Sequence, residues 1–171
     1  MKNSILVLII LIIPFYGRTN IKLINSNFHV KNKDSTRLEE SINKIILNSK
    51  SFVLLYKKNK IPNEIRKKLL LTNYKIKLAN PKRNFRNVDY INLSNFYLNN
   101  SKLIFYACSE EFKIVLFEHG GLVHERIAAI FNYDLKQAIF IVIDGYFDYS
   151  FLSFNEILIK RRFHLHPFMN N

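Results

Sequence analysis

A series of long apolar segments in the second half of the chain constrains the fold more than any other feature of the sequence. Its members are DYINLSNFYL, KLIFYA, FKIVLFEH, LVHERIAAIF and QAIFIVID, which follow one another between residues 89 and 144. Each segment has the length of a strand and is rich in β-branched and aromatic residues. Only short polar breaks or glycines separate them, so neighbours in sequence can pair directly. The pattern therefore predicts an antiparallel meander.

Helical patterns precede this series of segments. Thr36 and Glu39 have the spacing of a capping box, and apolar residues then recur on one face, which predicts a helix from Arg37 to Asn48. Pro62 stands where a second, short and strongly basic helix would begin. Both helices would pack their apolar stripes on the sheet.

Shorter segments complete the predicted architecture. The apolar run 52–56 predicts a buried strand, and residues 74–79 predict a half-exposed strand, because their apolar side chains alternate with lysines. Residues 79–87 are typical of a basic loop, and residues 153–159 fit either a helix or a strand. We therefore expect an α+β fold, with one or two N-terminal helices packed on a curved antiparallel β-sheet.

The amino terminus predicts export. After Lys2, no charge interrupts the apolar run from Ile5 to Tyr16. This run suits the core of a signal peptide and is shorter than the roughly 20 residues of a spanning helix. Gly17 suits a cleavage site, but Phe15 occupies a position where a small residue is preferred, so an uncleaved anchor is one alternative. A buried strand or helix of a cytosolic protein is the other.

These observations divide the chain into three parts. Residues 1–19 are expected to be a signal peptide or short hydrophobic anchor, residues 20–35 a flexible polar lead-in, and residues 36–171 a single α+β domain. The only cysteine, Cys108, allows no intrachain disulfide, so the core must hold the domain together. Such a protein would be periplasmic, secreted or associated with the cell envelope, and its oligomeric state is left open.

Charge is distributed very unevenly along the chain. The net charge is +13, but residues 18–86 hold 18 Lys and Arg against 4 Asp and Glu, whereas residues 87–159 hold 4 against 9. Eleven of the basic residues fall within 57–86, with aromatic residues between them. This asymmetry indicates either solvated and mutually complementary parts of one molecule or a surface that faces a polyanion.

The favoured hypothesis is a binding or structural role, rather than catalysis, through a basic surface formed by residues 57–86. The residues nominated for contact with an anion are Lys67, Lys68, Lys82, Arg83 and Arg86. For an exported protein, the expected partners are an anionic membrane surface, a polysaccharide or an acidic protein. Nucleic acid is the first partner to consider only if the chain stays in the cytosol. The sequence predicts no cofactor.

The stretch EHGGLVHE, Glu118 to Glu125, concentrates reactive side chains. If its two glycines form a two-residue hairpin loop, His119 lies opposite Leu122. Both histidines then share one face and both glutamates the other, which disfavours a metal site, because a tetrahedral ion needs ligands that converge. A three-residue loop would place Glu118 opposite His124 instead. We therefore predict a structural hairpin with two surface histidines and no metal.

The alternative function is an exported hydrolase-like or metal-dependent enzyme that uses a pocket on the sheet. Its only candidates for catalysis are His119, His124, Glu118 and Asp144. The aspartate belongs to DGYFDY, whose Asp-Gly pair is more typical of a turn. The tail RRFHLHPF carries two further histidines but is expected to be a frayed basic end. The sequence contains no P-loop, dinucleotide, HExxH or GxSxG motif.

Overall fold

A computed structural model describes residues 32–85, 98–120, 124–133 and 138–166 of the chain. These residues form three helices: α1 Asn32–Leu47, α2 Asn63–Leu71 and α3 Phe151–Ile159. They also form seven strands: β1 Val53–Leu55, β2 Leu78–Ala79, β3 Ser101–Cys108, β4 Phe112–His119, β5 Glu125–Asn132, β6 Ala138–Ile143 and β7 Phe163–Leu165. All seven strands belong to one open sheet.

The sheet is a meander in which β3, β4, β5, β6 and β7 each pair antiparallel with the next. Two short strands share the outer edge of β3: β1 pairs antiparallel with its end, and β2 pairs parallel with its first two residues. The predicted α+β class and antiparallel meander are therefore confirmed. The strands predicted at 102–107 and 112–119 are present almost residue for residue.

Helices cover both faces of the sheet. On one face, α1 and α3 pack against β4, β5 and β6 through Ile42, Ile45, Phe154, Leu158, Leu116, Ile130 and Ile141. On the other face, α2 packs through Ile65, Leu69, Val115, Phe117 and Ala129. Because neither face of the central strands is left to solvent, their sequences are almost continuously apolar. Each fully buried phenylalanine or leucine stabilises the fold by about 1.5–3 kcal/mol.

The helix boundaries differ in part from the predicted ones. Helix α1 begins at Asn32 instead of Arg37 and so enters the expected lead-in, of which residues 20–31 lie outside the described part of the chain. Helix α2 begins directly after Pro62, as predicted. The ambiguous segment 153–159 is helical, because the Ser150 hydroxyl accepts a hydrogen bond from the Ser153 backbone nitrogen at 3.0 Å and caps α3.

The segment 74–79 forms less sheet than expected. Its side chains do alternate between buried and exposed, but only Leu78 and Ala79 pair with β3. Lys75 has a φ of 45°, and the Ile76 nitrogen donates to the Leu69 carbonyl at 3.0 Å, so this part of the chain follows the end of α2. The predicted strand at 89–98 lies, apart from Leu98, outside the described residues.

The prediction of a frayed carboxyl end is wrong for residues 163–166. Strand β7 pairs with β6, and the His166 nitrogen donates to the Phe140 carbonyl at 2.9 Å. The physical reason is that β6 would otherwise leave a row of backbone groups without partners. A turn with φ of 53° at Arg161 returns the chain from α3 to this edge.

Candidate functional site

The pairing of β4 with β5 decides how the EHGGLVHE stretch is arranged. His119 lies opposite Glu125, and Glu118 lies opposite Arg126. Five residues, not two, separate the paired strands, so the predicted pairing of His119 with Leu122 is wrong. Because the loop is longer by an odd number of residues, every side chain of β5 faces the side opposite to the predicted one. Glu118 and His119 are adjacent on β4, so in either register they face opposite sides of the sheet, and they belong to two separate clusters.

Glu118 is the centre of the first cluster. Its side chain is only 2% exposed, and the Lys102 ammonium lies 2.5 Å from its Oε2. The Tyr149 hydroxyl donates to Oε1 at 2.6 Å, and His124 Nε2 lies 3.7 Å from the same oxygen. Burial acts to raise the pKa of Glu118, but the contacts with Lys102 and Tyr149 and the nearby positive charges outweigh it and lower the pKa. Glu118 is therefore an ion-paired carboxylate at neutral pH.

Tyr149 is held in place for this contact. Its φ of 64° is uncommon for a bulky residue. The Arg126 guanidinium lies 5.8 Å from the centre of its ring and donates to the Gly145 carbonyl at 2.8 Å, which fastens the loop after β6 to β5. The hydrogen bond to Glu118, together with burial, raises the pKa of Tyr149. The phenol is thus a fixed hydrogen-bond donor.

His119 lies in the second cluster, on the face that α2 covers. Its Nδ1 lies 2.8 Å from the hydroxyl oxygen of Ser101, and both residues are buried, so the prediction of a surface histidine is wrong at this position. The Tyr74 ring meets both His119 and His166 edge-on. His166 Nε2 lies 3.5 Å from the Glu125 carboxylate. Burial lowers the pKa of His166, and the negative charge of Glu125 only partly opposes this.

The structure therefore separates the four candidates for catalysis. Glu118 and exposed His124 come together, whereas His119 lies on the other face. Asp144 is exposed and pairs with His164, with 3.1 Å between Oδ2 and Nδ1. Within the described parts of the chain, no three His, Cys, Asp or Glu residues are arranged to hold a metal ion. Each nominated carboxylate has a cationic or imidazole partner, which favours a structural role.

A different site lies between α2 and residues 76–78. It is a groove of about 300 Å³. Three cationic, four aliphatic and one amide side chain line it: Lys58, Arg66, Lys77, Leu69, Leu70, Ile76, Leu78 and Asn99. None of these described lining residues is acidic. The groove therefore presents positive charge next to apolar surface, the combination from which ligand sites are commonly built.

Backbone and amide hydrogen bonds fix the walls of this groove. Asn100 accepts from the Lys77 nitrogen at 2.8 Å through Oδ1 and donates to the Tyr74 carbonyl at 3.0 Å through Nδ2. The Lys58 nitrogen donates to the Asn80 side chain at 2.9 Å, which ties the 3₁₀ turn Lys58–Lys60 to the turn after β2. These bonds fix the shape of the groove.

The cations of the groove differ from those of the hairpin clusters. Among the described residues, Lys58, Arg66 and Lys77 make no ion pair with an acidic group. The Arg66 guanidinium donates to the Asn63 side chain, while its buried Nε has no hydrogen-bond partner in the described parts of the chain. Positive charge in this groove is thus left available for an anion.

Four of the five residues nominated from sequence for anion binding belong to segments next to the groove but do not line it. Lys67 is exposed and Lys68 half-buried on α2, and Lys82 and Arg83 are exposed on the turn after β2. Arg86 lies outside the described residues. The signal that could have found the groove is the lysine at position 77, flanked by two buried apolar residues in the segment that follows a basic helix.

No protein-family model, curated protein or solved structure matches this chain. In the described parts of the chain, every helix is too short or too polar to cross a bilayer. The function must therefore be argued from the geometry and charge of the two regions.

Proposed function

We propose that the protein is exported and acts as a binding protein that takes an anionic ligand in the groove between α2 and residues 76–78. The observation that carries the proposal is the groove itself: three cationic side chains, and no acidic one, among its described lining residues. Export is supported by the uncharged apolar run from Ile5 to Tyr16.

The surroundings of the groove strengthen its positive field. The basic turn 58–60 is tied to the basic turn 80–83 through Asn80, so two basic segments lie side by side. Charges of one sign gathered around a concave site raise the local concentration of the opposite ion and its rate of association. An arginine in such a site can also bind a carboxylate or phosphate through two parallel hydrogen bonds.

Contacts at the hairpin end favour binding over catalysis as the activity of this protein. Glu118 is nearly inaccessible, and both of its oxygens contact Lys102 or Tyr149. A general base must reach the proton that it removes, directly or through one water molecule. Glu118 would have to leave these partners to do so.

The proposal is tested with two variants of equal charge. The groove variant carries Lys58→Gln, Arg66→Gln and Lys77→Gln. The neighbour variant carries three changes at exposed residues that do not line the groove: Lys44→Gln, Lys57→Gln and Lys75→Gln. Both lose three positive charges, so any difference between them reports the position of the charges and not their number.

The probe is tripolyphosphate, added to the full-length chain at constant ionic strength while Tm is measured. A ligand at 100 times its Kd stabilises the native state by about 2.7 kcal/mol, which is readily measured. We expect tripolyphosphate to raise Tm in the wild type and the neighbour variant and to leave the groove variant unchanged. Equal shifts in the two variants would show that the groove is not the site.

A further inference from the structure

We infer that the ligand of the groove is an anionic amphiphile, with one acidic head group and a single short aliphatic chain. This inference rests on the proposed function, because it names the class of anion that the groove takes. Three aliphatic side chains form a buried floor: Leu69, Ile76 and Leu78 are each at most 5% exposed. Leu70, which is 44% exposed, forms a wall.

Cationic and aliphatic groups alternate closely along the groove. Arg66, Leu69 and Leu70 stand at positions i, i+3 and i+4 of α2, so they share one helix face. Lys77 lies between Ile76 and Leu78 on the facing segment. A ligand that reaches Arg66 therefore also lies next to aliphatic side chains of the same helix face.

Other classes of ligand use only part of this surface. An inorganic anion would contact the cations but not the aliphatic lining, whereas a cationic amphiphile would contact the aliphatic lining but be repelled by Lys58, Arg66 and Lys77. A volume of about 300 Å³ is at the small end of ligand sites and suits one short chain better than a lipid with two chains. An amphiphile with an anionic head uses both the charge and the apolar area.

The inference is tested by calorimetry on the full-length chain with dodecanoate, acetate and dodecyltrimethylammonium, each below its micellar concentration. We expect dodecanoate to bind about 100-fold or more tighter than acetate, because each methylene buried on the floor adds affinity. We expect dodecyltrimethylammonium to bind much more weakly than dodecanoate. Equal binding of the two dodecyl compounds would overturn both the amphiphile inference and the proposed selectivity for anions.

Two adjacent leucines locate the aliphatic chain. Leu70→Gln alters the groove wall, whereas Leu71→Gln alters a side chain that is 83% exposed and does not line the groove. We expect Leu70→Gln to weaken the binding of dodecanoate about tenfold and to leave tripolyphosphate binding unchanged, with Leu71→Gln affecting neither.

If dodecanoate binds no better than acetate while the groove variant still loses tripolyphosphate binding, the amphiphile inference is wrong and the proposed function stands. If the groove and neighbour variants bind every probe alike, the proposed function fails as well.

Discussion

Two regions of this molecule concentrate charged side chains, and they use charge in opposite ways. At the hairpin end of the sheet, three carboxylates each have a partner: Glu118 with Lys102, Glu125 with His166 and Asp144 with His164. In the groove, the three cations make no ion pair within the described residues. Charged residues are concentrated in both regions of the sequence, but of the two only the groove leaves charge available to a ligand.

Ion pairing distinguishes these two regions better than residue type does. A buried carboxylate that already holds an ammonium and a phenol stabilises the fold, and its removal leaves those groups without an acceptor. A lysine on the wall of a groove contributes little to folding, because water solvates its ammonium group in both the folded and the unfolded state. Removal of charge should therefore change stability at the hairpin end and binding at the groove.

The largest expected effect is loss of stability in Glu118→Gln. The substitution keeps the shape of the side chain but removes the charge that accepts from Tyr149 and pairs with Lys102. We expect the free energy of unfolding to fall by about 2 kcal/mol, a typical value for a hydrogen-bonded charged group. Urea unfolding of the full-length chain measures it, with exposed Glu110→Gln as the control. A loss no larger than that of the control would show that the contacts of Glu118 do not stabilise the fold.

Acid should reduce the difference in stability between the wild type and Glu118→Gln. Because the folded-state pKa of Glu118 lies below its ordinary value of 4.5, the ion pair contributes its full stability above pH 4.5. That contribution is lost as the pH falls from 4.5 through the folded-state pKa. We therefore expect the wild type and Glu118→Gln to converge in stability in acid. A difference in the free energy of unfolding that stays constant until the Glu118 carboxylate is fully protonated would contradict an ion-paired Glu118.

His166 should make the stability of the fold depend on pH in a second, higher range. Burial holds its folded-state pKa below the ordinary 6.5, so the unfolded chain binds an additional proton in the interval between the two values. Stability should therefore fall as the pH decreases from 6.5 and level off below the folded-state pKa, by at most about 1.4 kcal/mol per pH unit. His166→Gln should lack this slope, whereas His164→Gln, which alters an exposed side chain, should largely keep it. Equal slopes in wild type and His166→Gln would show that His166 is not buried as a neutral imidazole.

The smallest expected effect is on the stability of the groove variant. Its three substitutions remove side chains that make no ion pair within the described residues, so each should change the free energy of unfolding by no more than about 0.5 kcal/mol. Urea unfolding beside the neighbour variant checks this expectation. A loss comparable to that of Glu118→Gln would mean that the groove cations are structural too, and the contrast between the two regions would disappear.

Sequence periodicity predicted much of the fold, because continuous apolar runs and short breaks follow directly from a sheet covered on both faces. It failed for β7, since three residues that carry histidine and phenylalanine in a basic tail have no periodicity of their own. Their pairing depends on the unfilled edge of β6, which is a tertiary property. The start of α1 was also misplaced, because a local capping pattern does not include the packing of the helix on the sheet.

The contacts of the candidate site were harder to predict from the sequence than the fold. The pairing of His119 with Glu125 depends on the number of residues in one loop, and a change from two to five reverses which side chains share a face. Tyr149 comes to Glu118 from 31 residues away along the chain, so no local motif connects them. The basic character of residues 57–86 could be read from the sequence, but the assembly of Lys58, Arg66 and Lys77 around one groove could not.

Hydrogen exchange of the full-length chain, measured by mass spectrometry with and without tripolyphosphate, compares the two regions most directly. We expect slower exchange on binding in residues 63–79, which form the groove walls, and unchanged exchange in residues 112–119 and 125–132. Slower exchange confined to the strands around Glu118 and His119 would contradict a binding site in the groove and place it at the hairpin end.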